Sequence, residues 1–195
     1  SLAVAKEMAR LAKLAGASAI KYQHHLPDEE MLPDTPMSDN MREPLYDFLV
    51  RNALKISDHI EIAKYCAEIG IQYLCTPFSY AAAKELHENH ILDAIKIGSG
   101  EMTDIPSLLE MGKFGVPMIV STGMSTFDEI DQTYNELTRS GVKLALMNCV
   151  SEYPPVYEDI NLGVLPLMQE RYKDAMIGQS DHTPTNYTCF AAVTL

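Results

Sequence analysis

Two patterns of hydrophobic residues alternate along this chain, one typical of helices and one typical of buried strands. This alternation restricts the possible folds more than any other feature. Helical stretches with one apolar face are followed by short runs that are apolar without interruption. Uninterrupted runs are typical of strands buried on both faces, as in parallel sheets covered by helices. The predicted strands lie near residues 17–22, 71–75, 94–97, 116–120, 142–147 and 175–179. The sequence therefore predicts an α/β fold, either a doubly wound sheet or most of a (β/α)8 barrel.

The predicted helices are bounded by recognisable start and stop signals. Gly16 and Gly70 end the first two periodic stretches. Thr126 and Glu129 have the spacing of a capping box, which predicts a helix through about Arg139. Further helices are predicted near residues 81–88, 107–113 and 162–172, and a last one from about residue 186.

The segment His24–Arg51 breaks the regular spacing. It contains four prolines and has little periodicity, which predicts a long loop. A loop of this length inside a compact domain is usually a lid or a binding loop. A surface insertion without function is the alternative.

Composition narrows the classes of function. The 195 residues carry a formal net charge of −12, which argues against binding to nucleic acid or to an anionic membrane surface. No apolar run reaches the roughly 18 residues of a membrane helix. The four cysteines form no C-x-x-C pair, and each lies in an apolar stretch. They predict buried, reduced thiols in a cytoplasmic protein.

Polar residues collect directly after the apolar runs, at the carboxyl ends of the predicted strands. Ligands bind at this end of parallel α/β folds. Lys21 and Lys96 follow apolar residues, so each needs an anionic ligand or a carboxylate partner such as Glu101. The nearby hydroxyl groups favour a pocket for phosphate and carboxylate groups. The polar residues at these strand ends are Lys21, Gln23, Thr76, Lys96, Ser99, Glu101, Ser121, Thr122, Asn148, Ser151, Tyr153, Asp181 and His182.

His182 is the candidate metal ligand, although a lone histidine is more often a structural residue. No H-E-x-x-H motif or comparable pair occurs in the chain, so a metal at His182 needs ligands from elsewhere. Asp181 either orients His182 or caps the following turn.

Six strings at the strand ends occur together in the order and spacing of one enzyme family, and they cover essentially the whole chain. The sequence resembles the N-acetylneuraminate (sialic acid) synthase family. The stretch His25–Met31 is also similar to the bacterial nonulosonate synthases, which make sialic, legionaminic or pseudaminic acid. The strings are Lys21-Tyr-Gln23, Cys75-Thr-Pro-Phe78, Lys96-Ile-Gly-Ser-Gly-Glu101, Ser121-Thr-Gly-Met124, Glu152-Tyr-Pro154 and Ser180-Asp-His-Thr183.

The resemblance implies a TIM-barrel enzyme that joins phosphoenolpyruvate to an open-chain N-acylated amino sugar, such as N-acetylmannosamine, and releases phosphate. It implies a divalent cofactor, Mn²⁺ or Mg²⁺, that activates the sugar aldehyde, with His182 as a ligand. Glu101 is expected to position the sugar or a metal-bound water. Asn148 and Ser151 are predicted substrate contacts, and Ser151 stands where some members carry Asn. The resemblance places Gln23 and Tyr153 along the substrate site, and assigns phosphoenolpyruvate binding to Lys21, Thr76, Lys96, Ser99 and Ser121.

Parts of the family pattern have no counterpart in this chain. They are the first-strand string, the eighth-strand string with a second metal-binding histidine, and a C-terminal antifreeze-like domain. Residues 1–195 are therefore predicted to be a partial TIM-barrel synthase domain with about six of eight strands, from a protein expected to be a homodimer. The alternatives are a Schiff-base aldolase with Lys96 as nucleophile, or a noncatalytic sugar-binding homologue.

Overall fold

Strands and helices alternate along the chain in the computed structural model, which describes residues 1–37 and 41–195. The strands are β1 (Ala19–His24), β2 (Gln72–Pro77), β3 (Ile95–Ile97), β4 (Met118–Ser121), β5 (Leu144–Cys149) and β6 (Ala175–Ser180). The helices are α1 (Leu2–Leu14), α2 (Pro27–Glu30), α3 (Leu45–Asn52), α4 (Ile56–Ile69), α5 (Tyr80–Glu88), α6 (Ile105–Gly112), α7 (Phe127–Arg139), α8 (Val164–Arg171) and α9 (Tyr187–Val193), with a 3-10 turn at Tyr157–Asp159.

The chain divides into two compact units, Ser1–Ile95 and Lys96–Leu195. In the first unit β1 pairs with β2, and β2 pairs with the first residue of β3; both pairings are parallel. In the second unit β4 pairs with β5 and β5 with β6, again in parallel. Parallel neighbours in chain order, joined by helices, are the repeating units of a (β/α)8-type barrel. The predicted fold class is confirmed.

Most strand starts lie one or two residues later than predicted. β1 begins at Ala19 rather than at residue 17, and β5 begins at Leu144 rather than at residue 142. The apolar run starts in the turn, so hydrophobicity alone marks the strand too early. The predicted capping box of α7 is present, because Thr126 Oγ1 accepts from Glu129 N and the Glu129 carboxylate accepts from Thr126 N.

The segment predicted as a long loop contains two helices, α2 and α3. The prediction of an irregular segment is wrong at these positions, and residues 38–40 lie outside the described residues. Pro27 stands in the first turn of α2, where its missing N–H costs nothing. The Tyr46 hydroxyl donates to Asp28 Oδ1 at 2.5 Å and ties α3 to α2.

Alternate residues of β1 face opposite sides. The Tyr22 hydroxyl donates to Ala5 O of α1 at 2.7 Å, and His24 Nε2 lies 2.6 Å from Glu85 Oε2 of α5. Both side chains are buried under the helices. Lys21 and Gln23, which alternate with them, therefore point to the other face and are exposed.

A polar cluster is buried on the helix-facing side of the first unit. His59 of α4 is fully buried, its Nδ1 lies 2.8 Å from the Tyr73 hydroxyl, and its ring meets that of His24 edge-on at 4.7 Å. His24 Nδ1 and His59 Nε2 have no hydrogen-bond partner among the described residues. Burial, reinforced by the neighbouring His24, lowers the pKa of His59 from 6.5 to about 4.

Three of the four cysteines are buried and all four are free thiols, as predicted. Cys189 of α9 is exposed, so the prediction of burial is wrong there. Its helix presents one face to solvent, and an apolar neighbourhood in the sequence does not reveal which face that is. Within the described residues, no helix combines the length and the apolar character that crossing a membrane requires.

We expect stability to fall with acid between pH 6.5 and about pH 4 because of His59. In this window the unfolded chain binds a proton that the folded protein excludes, so acid favours unfolding. The contribution between pH 7 and pH 5 is about 2 kcal/mol. Chemical unfolding at pH 7 and pH 5 should show that the free energy of unfolding falls less with acid in His59→Gln than in the wild type. An unchanged pH dependence in the variant would contradict the assignment.

Candidate active site

A lysine and two serines form the polar centre of the second unit. Lys96 of β3 donates from Nζ to Ser121 Oγ at 2.5 Å and to Ile97 O at 2.8 Å. Ser99, in the turn after β3, accepts a hydrogen bond at 3.1 Å from Gly123 N. Each serine oxygen is thus used as an acceptor, and neither hydroxyl proton has an acceptor among the described residues. An ammonium beside two available O–H donors suits a phosphate or carboxylate group.

Gly123 allows two strand-end turns to approach closely. A Cβ on this residue would lie 2.7 Å from Ser151 Oγ and 3.1 Å from the backbone carbon of Cys149. The first distance is shorter than real Cβ atoms show and the second is tighter than most, so a side chain at this position would force Ser151 or the backbone of Cys149 to shift. The turn after β4 is therefore packed directly against the end of β5, and Ser151 lies beside the Ser99–Gly123 contact.

One ring nitrogen of His182 forms a hydrogen bond within the protein. Its Nδ1 lies 2.9 Å from Val150 O, and a carbonyl only accepts, so Nδ1 carries the proton. The Nε2 lone pair of the neutral ring is left for a ligand. The ring also packs on Tyr153, with centroids 4.2 Å apart. A histidine whose second nitrogen donates to a carbonyl has the orientation common among metal ligands.

In the first unit, Lys21, Gln23 and Thr76 share the face that points away from the helices. Gln23 is the strand neighbour of Thr76 in the parallel register. Thr76 Oγ1 is buried and has no hydrogen-bond partner among residues 1–37 and 41–195. Lys21 has no ion-pair partner in the described part of the chain. Although Lys21 is exposed overall, the protein around it displaces enough water to lower its pKa. An ammonium and a hydroxyl group without a partner are both groups that can bind an anion, so their predicted role in binding phosphoenolpyruvate stays a prediction.

Asn148 forms hydrogen bonds to two neighbouring segments of the protein. It lies on the face of β5 shared with the buried Leu146, and its Nδ2 donates to Gln179 Oε1 at 2.9 Å and to Ile160 O at 3.4 Å. Its amide joins β5 to β6 and to the loop before α8, and its predicted contact with the substrate stays a prediction.

Asp181 and Glu101 both lie in strand-end turns. Asp181 accepts from Thr183 N and, at 2.6 Å, from Thr183 Oγ1, so it caps its turn and does not orient His182. Glu101 is partly buried in the turn after β3, where its backbone N–H donates to Gly98 O at 3.3 Å. The prediction that Glu101 contacts the sugar stays a prediction.

The sequence did not reveal the pairing of His25 with Glu30. His25 Nδ1 lies 2.9 Å from Glu30 Oε1, directly after β1. The five-residue separation across Pro27 corresponds to no helical or strand spacing. Only the helix α2, absent from the prediction, brings the two side chains together.

Comparison with known proteins identifies the family. The sequence profile of the NeuB family matches residues 8–195. The chain belongs to the NeuB family. Among its relatives, human N-acetylneuraminate-9-phosphate synthase is 31% identical over the whole chain, which covers 55% of that protein. The N,N'-diacetyllegionaminic acid synthase of Campylobacter jejuni is 29% identical over the whole chain, which covers 60% of it.

Two solved structures have the same fold as this chain. The N-acetylneuraminic acid synthetase of Leptospira borgpetersenii, in complex with citrate, matches 98% of this chain with a TM-score of 0.87 and 24% identity, over 64% of its own length. The spore coat polysaccharide biosynthesis protein SpsE of Bacillus subtilis matches 99% with a TM-score of 0.82 and 28% identity, over 52% of its length. The chain thus spans between half and two thirds of the length of these four proteins.

We expect Gly123→Ala to destabilise the protein by about 1–3 kcal/mol, because the new methyl group must displace Ser151 or the backbone of Cys149. The matched control is Gly100→Ala, where an added Cβ meets nothing within 4 Å. Its effect should stay within about 0.5 kcal/mol. Denaturant unfolding measures both. Equal losses in the two variants would show that close packing at Gly123 is unimportant.

Proposed function

We propose that the protein containing this chain condenses phosphoenolpyruvate with an N-acylated amino sugar and releases inorganic phosphate. The observation that carries the proposal is the contact of Lys96 Nζ with Ser121 Oγ, beside the Ser99–Gly123 hydrogen bond, in a chain of the NeuB family. The synthases named among its relatives support the sugar class.

Phosphoenolpyruvate presents a phosphate and a carboxylate, and the proposed contacts match these groups. Lys96 supplies positive charge, and the O–H groups of Ser121 and Ser99 donate to anionic oxygens. The family resemblance assigns Lys21 and Thr76 to the same ligand. The spare Thr76 hydroxyl and the lowered pKa of Lys21 support this assignment, because each gains from an anionic partner.

The reaction we propose forms a bond between C3 of phosphoenolpyruvate and the aldehyde carbon of the open-chain sugar. Water adds at C2, and the C–O bond to phosphate breaks. Lys96 and the two serines keep the phosphate bound while it becomes a leaving group, so they stabilise its growing charge. Gln23, Tyr153 and Ser151 are the proposed sugar contacts, and Glu101 is proposed to orient the sugar.

The family resemblance implies a divalent metal, and the described residues offer part of the ligand set that such a metal needs. His182 offers Nε2 in a fixed orientation, whereas the described residues contain no group of three or more His, Cys, Asp or Glu side chains placed to hold a metal. His182 is therefore the proposed ligand within this chain, and further ligands would come from elsewhere in the protein. A bound Mn²⁺ or Mg²⁺ would supply Lewis acidity toward the sugar aldehyde.

The remaining barrel strands, the second metal-binding histidine and the antifreeze-like domain are proposed to lie outside residues 1–195. The proposal is supported by the share of the relatives that the chain spans, which is 51–60% for the relatives from Methanocaldococcus jannaschii, Campylobacter jejuni and human. A homodimeric, cytoplasmic enzyme is likewise our expectation for the whole protein.

Phosphate release from phosphoenolpyruvate, measured with Mn²⁺ and a panel of N-acyl amino sugars, tests the proposal in the full-length protein. We expect release that depends on one class of sugar. Borohydride trapping of pyruvate on Lys96 would favour the Schiff-base aldolase instead. A protein that gains no thermal stability from phosphoenolpyruvate with Mn²⁺ would be a noncatalytic homologue.

Lys96→Met should raise the dissociation constant for phosphoenolpyruvate roughly 10- to 150-fold, because a charge-assisted hydrogen bond typically contributes about 1.5–3 kcal/mol. The matched control is Lys113→Ala, which removes an exposed ammonium paired with Glu110 on α6 and should leave this constant unchanged. Calorimetric titration measures both variants. Wild-type affinity in Lys96→Met would remove Lys96 from the anion site.

His182→Ala should abolish metal-dependent turnover while phosphoenolpyruvate binding stays within about 3-fold of wild type, because the imidazole contributes to the metal site only. Turnover is measured by phosphate release after chelation and addition of Mn²⁺, and Mn²⁺ binding is followed by electron paramagnetic resonance. Retained turnover at saturating Mn²⁺ would mean that His182 serves only to join its turn to Val150.

A further inference from the structure

Directly after β1, His25 is held on two sides. Its ring stacks on Phe78, with centroids 4.4 Å apart and planes inclined by 14°. Its Nδ1 lies 2.9 and 3.1 Å from the two carboxylate oxygens of Glu30. The side chain of His25 is 12% exposed and that of Glu30 only 3%. A carboxylate buried to this extent needs a hydrogen-bonding partner, so the pair has a defined geometry.

The remaining ring nitrogen of His25 faces Gln23. His25 Nε2 lies 3.4 Å from Gln23 Oε1. Because a carboxylate only accepts, Nδ1 carries the proton shared with Glu30. A neutral ring then accepts from the Gln23 NH₂ group after an amide flip, and a charged ring donates to the Gln23 carbonyl. Either way, one end of the amide is held by His25.

The held amide lies on the face of β1 that carries Lys21. Gln23 is exposed there and neighbours Thr76 in the strand register. An amide fixed at one end presents its other end in a defined direction. An acylamino group or a hydroxyl of a sugar matches such a partner, because each offers both hydrogen-bond donors and acceptors.

We propose that His25, oriented by Glu30 and Phe78, is a positioning residue that fixes the Gln23 side chain for the polar groups of the amino sugar. The inference rests on the proposed function. It assigns the stretch after β1 a role in sugar recognition through Gln23, separate from phosphoenolpyruvate binding. The competing explanation is that His25 and Glu30 only fasten α2 to β1.

A second contact in the same segment separates these two roles. The Tyr46 hydroxyl bonds to Asp28 and also holds α2, but it involves neither His25 nor Gln23. Tyr46→Phe therefore weakens the segment without touching the amide. His25→Phe keeps a flat ring for stacking on Phe78 and removes both ring nitrogens.

The test is a double-mutant cycle in the full-length enzyme, with steady-state constants for both substrates. We expect His25→Phe to raise the sugar KM roughly 3- to 10-fold, as for the loss of one hydrogen bond, while the phosphoenolpyruvate KM stays within about 2-fold. Gln23→Ala should raise the sugar KM at least as much. Adding His25→Phe to Gln23→Ala should have no further effect, because the residue positioned by His25 is gone.

Several results would overturn the inference. They are additive effects in the double variant, equal rises in both KM values, or a sugar KM in Tyr46→Phe that matches that of His25→Phe. If His25→Phe fails to fold, Glu30→Gln keeps the shape of the buried side chain and removes its charge, and the same cycle with Gln23→Ala applies.

The inference and the proposed function fail in different ways. Phosphate release by the wild type combined with an additive cycle would overturn only the role of His25. No phosphate release with any sugar would overturn the proposed function, and sugar positioning with it. The ¹⁵N–¹H signals of the Gln23 side-chain amide give a readout without turnover, and identical signals in wild type and His25→Phe would contradict the contact itself.

Discussion

Successive residues of a strand point to opposite layers, and the rest of this structure depends on that constraint. In β1 it directs Tyr22 and His24 beneath the helices and leaves Lys21 and Gln23 on the other face. A single strand thereby contributes to stability with one set of side chains and to the proposed ligand site with the other. A shift of one residue in register would exchange the two sets and bury an ammonium among helices.

The polar groups on the two faces are used differently. Beneath the helices, the Tyr22 hydroxyl bonds to Ala5 of α1, and the Tyr73 hydroxyl bonds to His59 of α4. These hydrogen bonds fix the two helices against the strands. At the strand ends, Ser99 and Ser121 accept hydrogen bonds, and their hydroxyl protons have no acceptor in the part of the chain that the structure describes. The acidic net charge of the chain does not oppose an anionic ligand there, because local fields are set by the nearest charges.

Much of the fold could be predicted, because strand burial and helix capping leave local signals. The uninterrupted apolar runs located all six strands to within about two residues, and Thr126 with Glu129 fixed the start of α7. The segment His24–Arg51 was predicted as a loop because its helices are short and leave no clear hydrophobic period in the sequence. Contacts such as that of Tyr46 with Asp28 hold them in place.

The candidate site was predicted from residue type at strand ends, and this reasoning has a clear limit. It found Lys96 and Ser121, which share a hydrogen bond, and Ser99, which accepts one from Gly123 in the turn after β4. It also selected Asn148, but it did not reveal the hydrogen bond from the Asn148 amide to Gln179 of β6, because residue type at a strand end does not identify the neighbour. The contacts of His25 with Glu30 and with Gln23 depend on the path of the chain after β1. Residue type alone does not predict that path.

The missing side chain at Gly123 has a consequence for how this protein can diverge. Because Ser151 and the end of β5 occupy the space that a Cβ would need, positions 123 and 151 are sterically linked across two turns. A larger residue at 151 can be accommodated only by turning its side chain away from the β4 turn. The space open to a side chain at 151 therefore depends on the residue at 123, and glycine at 123 leaves that space to Ser151.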